Sequence, residues 1–404
     1  MTTRGIIGLA SGSSGDGVDA ALLDVEGIGL DVQIKPLHAV HQPHPRDVRE
    51  LLRQVSGPAP AEIKQVCLLH RLLGETFAAA ARLVADRAGW SLPSVQCIGC
   101  PGHILWHEPE ARFPSTLTLG MTAVVAERTG VTVVSDFGTR DLAAGGQAAP
   151  LSALIDYLLF RDHAESRLLL HLGSIARLVY LPARARIQDI VGFEVGPCTG
   201  LLDALMTHLT GGKEAYDPGG KHAVQGRCIE PLLNRWLGHP FLQRRPPKSV
   251  PRNGWGQTFA VQAVQQARQM NWSLHDLLCT ATHFVAASIV QSIRRFLPVS
   301  GQRIHVLLSG GGVRNGLLWH LLEQQLPDTT LEKTDVLGIP TDLGKSLTSG
   351  ILAALTLDGV PASVPSATGA NGTRLLGNLT PGSPANWARC LSWMATLSQL
   401  PAAA

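Results

Sequence analysis

One pattern occurs twice in this chain and constrains its fold more than any other feature: two apolar, β-type runs joined by a tight, glycine-rich turn. In the first copy, residues 5–25, the turn reads Gly12-Ser-Ser-Gly-Asp-Gly17, and in the second, residues 168–181, it is Gly173-Ser174. Apolar runs flanking such a turn are typical of β-hairpins. The repeat therefore predicts two related lobes.

The first turn has the composition of a phosphate site. Glycines allow several backbone N–H groups to point the same way around an anion. Serine hydroxyls add donors, and the carboxylates of Asp16 and Asp19 are suited to holding Mg²⁺ through water or to orienting a reacting hydroxyl. The alternative is an ordinary turn that binds nothing. The candidate nucleotide contacts are Gly12, Ser13, Ser14, Gly15, Asp16, Gly17, Val18 and Asp19.

A second group of nucleotide contacts is expected farther along the chain, at Gly173, Ser174 and a triple glycine. Gly310, Gly311 and Gly312 follow an apolar strand at 304–309 and precede a helix at 315–325. Glycines between a strand and a helix let the backbone lie close to a flat ligand such as adenine. The alternative is a helix-entry turn with no ligand.

Strands and helices alternate along the chain, which is typical of α/β proteins. One predicted strand, 187–193, ends at Glu194. Residues 141–150, with paired glycines and a proline, are the best linker candidate. We therefore expect a first lobe of 1–145 completed by 371–404, and a second lobe of 146–370.

Composition excludes several classes of function. The net charge is +3, from 34 basic and 31 acidic residues spread along the chain, so no basic tract for nucleic acid is present. The apolar stretch before Ser11 is too short for a signal peptide, and no run approaches the ~18 apolar residues of a membrane span. We expect a cytoplasmic protein with reduced cysteines and no nucleic acid or membrane partner.

Three short motifs do not carry function on this interpretation. The stretch 338–346 resembles a P-loop, but five residues separate its glycines where the motif has four. His103 and His107 lack the glutamate that follows the first histidine in a helical zinc motif. The CxxC at 97–100 has no second pair, which favours packing over metal or redox use.

Over nearly its whole length the sequence resembles the anhydro-N-acetylmuramic acid kinases, which have the actin-like (ribonuclease H-like) fold. The resemblance implies two lobes around an interlobe nucleotide cleft, and a homodimer. The stretches that carry it are Gly12-Ser-Ser-Gly-Asp-Gly-Val-Asp19, residues 119–130, Ser135-Asp-Phe, residues 141–151, Gly192-Phe-Glu-Val-Gly-Pro197, Pro246-Pro-Lys-Ser249, Gly310-Gly-Gly-Val-Arg-Asn315 and residues 364–370.

The resemblance implies a small-molecule kinase that uses ATP, Mg²⁺ and water. Such an enzyme opens the 1,6-anhydro ether of a cell-wall amino sugar and places phosphate on O6. Glu194 stands where the family has its aspartate base, and Asp16 is the expected metal ligand. The implied substrate contacts are His103, Trp106, His107, Asp136 and Gln147.

The sequence departs from the family pattern where sugar contacts are expected, at 100–104, Met121, 173–177 and Ser346. These changes remove an imidazole, a carboxamide and two carboxylates. An unpaired buried hydroxyl costs about 1–3 kcal/mol. Two functions therefore remain: a sugar kinase, or a weakly catalytic homologue that binds nucleotide or cell-wall sugar as a sensor or structural partner.

Overall fold

The computed structural model describes residues 3–12, 14–57, 59–251, 255, 257–298 and 303–397. The chain divides into two compact units. Unit 1 is Met1–Leu159, Leu343–Pro365 and Ala370–Ala404, and unit 2 is Phe160–Asp342 and Ser366–Gly369. Relative to the predicted boundaries, 146–159 and 343–365 cluster with the first unit.

Each unit is built on one large sheet. The strands in the described residues are β1 Thr3–Ser11, β2 Gly17–Glu26, β3 Gln33–Pro43, β4 Val95–Cys100, β5 His103–Glu108, β6 Ser115–Leu119, β7 Thr132–Ser135, β8 Ser166–Leu172, β9 Ile175–Leu181, β10 Val191–Pro197, β11 Ile304–Ser309, β12 Thr329–Lys333 and β13 Asn378–Thr380. The sheet orders are β13-β7-β4-β1-β2-β3 in unit 1 and β10-β9-β8-β11-β12 in unit 2, and β5 and β6 form a separate pair.

The two large sheets share one topology. In unit 1, β1, β2 and β3 are antiparallel neighbours, and β4 and β7 continue the sheet parallel to β1. In unit 2, β8, β9 and β10 repeat the antiparallel set, and β11 and β12 continue parallel to β8. The prediction of an α/β fold with two related, ribonuclease H-like lobes is confirmed.

Helices supply the crossovers that parallel strands require. In the described residues they are α1 Arg46–Val55, α2 Ile63–Ala88, α3 Thr122–Thr129, α4 Thr139–Ala143, α5 Ala153–Phe160, α6 Thr199–Thr210, α7 Glu230–Leu237, α8 Pro240–Gln243, α9 Gln257–Gln269, α10 Leu274–Phe296, α11 Gly316–Gln325, α12 Gly344–Leu357, α13 Pro365–Thr368 and α14 Pro384–Leu397. Helix α10 begins where the Ser273 side chain accepts the Asp276 N–H at 3.0 Å, which is a common N-cap.

Helix α12 belongs to unit 1 because it lies directly on β1 and β4. A Cβ at Gly8 would fall 1.8 Å from the Ser346 carbonyl oxygen, and one at Gly99 would fall 2.0 Å from that of Ser349. Ser349 Oγ also donates to the Leu9 carbonyl at 2.7 Å. Only glycine permits this approach, which is why 343–365 does not extend the second lobe.

Helix α10 is long and apolar enough to cross a membrane by length and composition alone. Its most apolar window is 78% buried inside the protein. Leu278, Phe284 and Ile289 are among the α10 residues in the hydrophobic core of unit 2. The apolar character of α10 is thus accounted for by core packing.

Two local predictions need correction. The strand predicted at 187–193 is a 3₁₀ turn, Ile187–Asp189, followed by β10, so Glu194 lies within β10 and not at its end. The predicted linker 141–150 consists of the end of α4 and a loop that is tied down inside unit 1. The fully buried Asp141 accepts the Ala148 N–H at 2.9 Å through Oδ2. A buried carboxylate with a backbone donor fixes a loop, whereas a linker has few such contacts.

Candidate active site

The first glycine turn joins β1 to β2 in unit 1. The Gly15 N–H donates to the Gly12 carbonyl at 3.1 Å, and Gly15 has a φ of 65°. Ser14 Oγ donates to Asp16 Oδ1 at 2.7 Å. Burial alone would raise the pKa of Asp16, but the hydrogen bonds from Ser14 and from backbone N–H groups, with the charge of His41, hold it below its ordinary value. Asp16 is therefore ionised at neutral pH. Ser13 lies outside the described residues.

The other predicted residues of this hairpin have different environments. Gly17 and Val18 are in the ladder of β2, and the Val18 side chain is buried in the core. Asp19 Oδ1 lies 2.8 Å from Nδ1 of His41 on the neighbouring strand. Among the described residues, the open part of the turn thus reduces to Gly12 and 14–16, and Asp19 is engaged by a cross-strand pair.

Two side chains from distant segments lie beside the turn. His103 Nδ1 and Ser11 Oγ are hydrogen-bonded at 3.0 Å, which brings a predicted sugar contact to the end of β1. Lys345 Nζ lies 3.9 Å from the Cβ position of Gly12. The sequence predicts Ser346 as one of the altered site residues, but Ser346 is 1% exposed. The preceding position on the helix, Lys345, carries the exposed side chain, and no local signal reveals that placement.

A cavity of about 220 Å³ opens in unit 1 near the carboxyl ends of β4 and β7. Its lining residues are His70, Cys100, Pro101, Gly102, Thr118, Gly120, Met121, Thr122, Ala123, Ser135 and Asp136. The set includes Asp136, a predicted substrate contact, and positions 100–102 and Met121, where the sequence is expected to depart from the family pattern. Ligands commonly bind at the carboxyl ends of parallel strands.

Asp136 is held rigidly at this cavity. Its carboxylate accepts hydrogen bonds from Thr139 Oγ1 at 2.5 Å and from Asn378 Nδ2 at 3.1 Å. Asp136 has a φ of 54°, a left-handed conformation that is uncommon outside glycine and worth examining for function. The carboxylate therefore has a fixed direction.

His70 is a cavity residue that sequence reasoning missed. The Gly120 N–H donates to His70 Nδ1 at 3.0 Å, and burial lowers the pKa of His70. In a neutral imidazole whose Nδ1 accepts, Nε2 carries the proton. His70 is therefore a fixed N–H donor in the cavity wall. Its position within α2 resembles any amphipathic helix residue, so the sequence gives no signal of this role.

The remaining predicted sugar contacts are not among the residues lining this cavity. Trp106 and His107 are on β5, where Trp106 is 42% exposed and burial lowers the pKa of His107. Gln147 belongs to the loop fixed by Asp141. Cys100 is a cavity residue, and burial raises the pKa of its thiol to about 12, so it is an unreactive wall group.

In unit 2, the second hairpin tip is anchored to a helix. The backbone N–H groups of Cys198, Thr199 and Gly200, at the start of α6, donate to the carbonyl oxygens of Gly173 and Ser174 at 2.9–3.2 Å. These N–H groups are consequently not free to bind an anion.

The triple glycine lies against the same hairpin. A Cβ at Gly310 would fall 2.8 Å from the Leu172 carbonyl oxygen, and one at Gly312 would fall 2.7 Å from Leu172 Cβ. Gly311 is exposed, and a Cβ there would meet no atom within 4 Å. Two features predicted separately from the sequence thus meet at the carboxyl ends of β8 and β11.

Glu194 is held by the segment that runs alongside β10. Its Oε2 accepts the Val250 N–H at 2.7 Å, and its own N–H donates to the Lys248 carbonyl at 3.1 Å. The pairing with β9 shifts register between Glu194 and Gly196. Such a bulge re-aims the neighbouring side chain and is common beside active sites.

Within the described part of the chain, no group of three or more His, Cys, Asp or Glu side chains is arranged to hold a metal ion. Mg²⁺ is usually bound by one or two carboxylates together with waters and substrate phosphates. The single ionised carboxylate of Asp16, beside a glycine turn, fits that mode of binding.

Comparison with known proteins identifies the family. The family model described as anhydro-N-acetylmuramic acid kinase matches residues 4–382. The chain belongs to this family. Curated proteins of that name are 36% identical in Salinibacter ruber, over 94% of this chain and 97% of the relative, and 32% identical in Caldanaerobacter subterraneus subsp. tengcongensis, over 93% and 97%.

Membership of the anhydro-N-acetylmuramic acid kinase family gives the site its context. The family match spans both units, including both hairpins, the triple glycine and Glu194. The altered positions Pro101 and Met121 both line the unit 1 cavity. The family match therefore covers both glycine hairpins and the residues of the cavity wall.

Proposed function

We propose that this protein is an ATP-dependent kinase that opens the 1,6-anhydro ring of an N-acetylmuramic acid-type sugar and phosphorylates O6. The observation that carries the proposal is Glu194, a carboxylate at the family's base position, fixed by the Val250 N–H at 2.7 Å. A sensor that only bound ligand would need no carboxylate there, and the non-catalytic alternative is not favoured.

In the proposed reaction, Glu194 takes a proton from the water that attacks the anomeric carbon. The bond between that carbon and O6 breaks as the water oxygen bonds to the carbon. O6 then bonds to the γ-phosphorus while the bond from the γ-phosphorus to the β–γ bridging oxygen breaks and ADP leaves. The proton on Glu194 returns to solvent, which resets the base.

Nucleotide binding is assigned to backbone groups of the glycine turns. The proposed contacts to the phosphates or the adenosine are Gly12 and residues 14–16 of the first turn, the tip at Gly173 and the exposed Gly311. The Lys345 ammonium, beside Gly12, adds positive charge for a phosphate oxygen. Mg²⁺, when bound with Asp16 through water, would neutralise charge that develops on the transferred phosphoryl group.

The acceptor sugar is assigned to the unit 1 cavity. His70 Nε2 would donate to a sugar oxygen, and the fixed Asp136 carboxylate would accept from a hydroxyl. His103, Trp106, His107 and Gln147 remain proposed contacts. A cytoplasmic location likewise remains a proposal, as does a homodimer, which rests on family analogy.

The test is ADP release measured with 1,6-anhydro-N-acetylmuramic acid and, separately, with free N-acetylmuramic acid. Glu194→Gln should lower sugar-dependent kcat by ~10²-fold or more, which is the scale of lost acid–base catalysis, while ATP affinity is kept. Glu323→Gln is the matched control, because Glu323 is exposed on α11 of the same unit. Wild-type turnover by Glu194→Gln would refute the assignment.

A further inference from the structure

We propose that Lys248 is a positioning residue, which holds segment 246–251 against β10 and thereby keeps the Val250 N–H on the Glu194 carboxylate. The inference rests on the proposed role of Glu194. It adds a fully buried residue, bonded to Glu194 through its backbone carbonyl, to the groups that decide the rate.

Lys248 is buried in a way that ordinary lysines are not. Its relative exposure is 0%. Its Nζ donates to the carbonyl oxygens of Phe241 at 3.1 Å and Leu242 at 3.5 Å, both in the short helix α8. Lysine is almost never fully buried unless it is paired. Here the two carbonyl oxygens of α8 are the partners of the buried ammonium.

Three aromatic rings surround the same ammonium. Nζ lies 4.8 Å from the ring centroid of Phe241, 5.0 Å from that of Phe296 and 5.7 Å from that of Phe193. These distances are within the range of cation–π attraction. Phe193 immediately precedes Glu194, and Phe296 ends α10, so one ammonium connects β10, α8 and the end of α10.

The stability of the fold alone does not explain why a charged side chain is buried at position 248. In the described part of the chain, no carboxylate lies within ion-pair distance of Lys248, while burial and then the charges of Arg244 and Arg295 lower its pKa to about 8. An apolar residue of similar volume is often neutral or stabilising at such a site. The ammonium instead gives this segment directional bonds to α8.

The consequence for Glu194 follows from two backbone contacts of the anchored segment. The Lys248 carbonyl accepts the Glu194 N–H at 3.1 Å, and two residues later the Val250 N–H donates to Glu194 Oε2 at 2.7 Å. A shift of the segment by about 1 Å would break or bend the second bond, and misplacement on that scale can lower a rate by on the order of 10²-fold.

The test compares Lys248→Met with Lys248→Arg and with the exposed control Lys213→Met. For Lys248→Met we expect kcat to fall ~10-fold or more with both KM values within about twofold, since substrate contacts are untouched. The acidic limb of the kcat–pH profile should move to higher pH, because an N–H donor favours the ionised carboxylate. A folded Lys248→Met with wild-type kcat and pH profile would overturn the inference.

Two further measurements keep the result decisive. If Lys248→Met does not fold, Lys248→Gln is measured in its place. Glutamine keeps donors for the α8 carbonyl oxygens, so this variant should give an intermediate kcat. A wild-type kcat and pH profile for Lys248→Gln would count against the inference. In the unmodified protein the Val250 amide should exchange as slowly as core amides of β10, and rapid exchange would refute the anchoring. Glu194→Gln measured in parallel separates this inference from the proposed role of Glu194. If Lys248→Met has wild-type activity while Glu194→Gln is impaired, only this inference fails.

Discussion

The triple glycine gives a prediction with its own internal control. A Cβ on Gly312 would lie 2.7 Å from Leu172 Cβ, 3.0 Å from the Leu172 carbonyl oxygen and 3.2 Å from Thr199 Cγ2. A Cβ on its neighbour Gly311 would meet nothing within 4 Å. Alanine at the two positions therefore separates internal packing from ligand contact.

Gly312→Ala should destabilise the fold, because the new Cβ meets the backbone and buried side chain of Leu172 and the half-buried side chain of Thr199. Overpacking of this kind typically costs about 1–3 kcal/mol. For a domain the size of unit 2, roughly 2–4 °C of midpoint is lost per kcal/mol, so thermal unfolding without ligand should show a fall of about 2–12 °C. Gly311→Ala should unfold like wild type.

Nucleotide binding should depend on Gly311, the position at which substitution leaves the stability of the fold unchanged. If the exposed side of the turn carries the nucleotide, Gly311→Val should raise the KM for ATP by about tenfold, equivalent to ~1.4 kcal/mol of lost binding, with no change in the ligand-free unfolding midpoint. A Gly311→Val enzyme with wild-type KM, or a Gly312→Ala enzyme as stable as wild type, would refute the reasoning.

Three other predictions concern unit 1. Arg4→Met should lower the free energy of unfolding by about 3–5 kcal/mol, because it removes the only cation paired with the fully buried side chain of Asp358 in the described residues; in denaturant titrations, Arg128→Met at an exposed ion pair should have far less effect, and equal effects would contradict this. Lys345→Met should raise the KM for ATP several-fold and Lys345→Arg should restore it, whereas an unchanged KM would remove Lys345 from the site. Asp16→Asn should raise the Mg²⁺ concentration for half-maximal turnover. It should also remove a stability term that wild type has above the ordinary pKa of 3.8 and loses at lower pH, and identical Mg²⁺ and acid-unfolding curves would exclude both roles.

The repeated hairpins were predictable because their signal is local. Glycine turns between apolar runs lie within about twenty residues, and the structure has them as β1–β2 and β8–β9. The strands at the edges of the sheets were harder to predict from the sequence. The β13 strand joins β7 from the far end of the sequence, with Asn378 paired to Ser135, and three residues of polar and apolar character give no periodicity to detect.

Much of the candidate site depends on tertiary placement that no local pattern encodes. The Lys345 ammonium reaches Gly12 only because Gly8 and Gly99 admit α12 onto the sheet. The donor role of His70 depends on Gly120 N–H, which lies in another element. The interlobe nucleotide cleft that the resemblance implies stays a prediction.

The most direct test of the proposed activity is the fate of oxygen in a single reaction. Purified protein would be incubated with ATP, Mg²⁺ and 1,6-anhydro-N-acetylmuramic acid in ¹⁸O-labelled water, and the early products analysed by mass spectrometry. The account predicts one ADP per sugar consumed, with ¹⁸O on the anomeric carbon and unlabelled phosphate on O6. Label appearing in inorganic phosphate, with the sugar ring still closed, would contradict it.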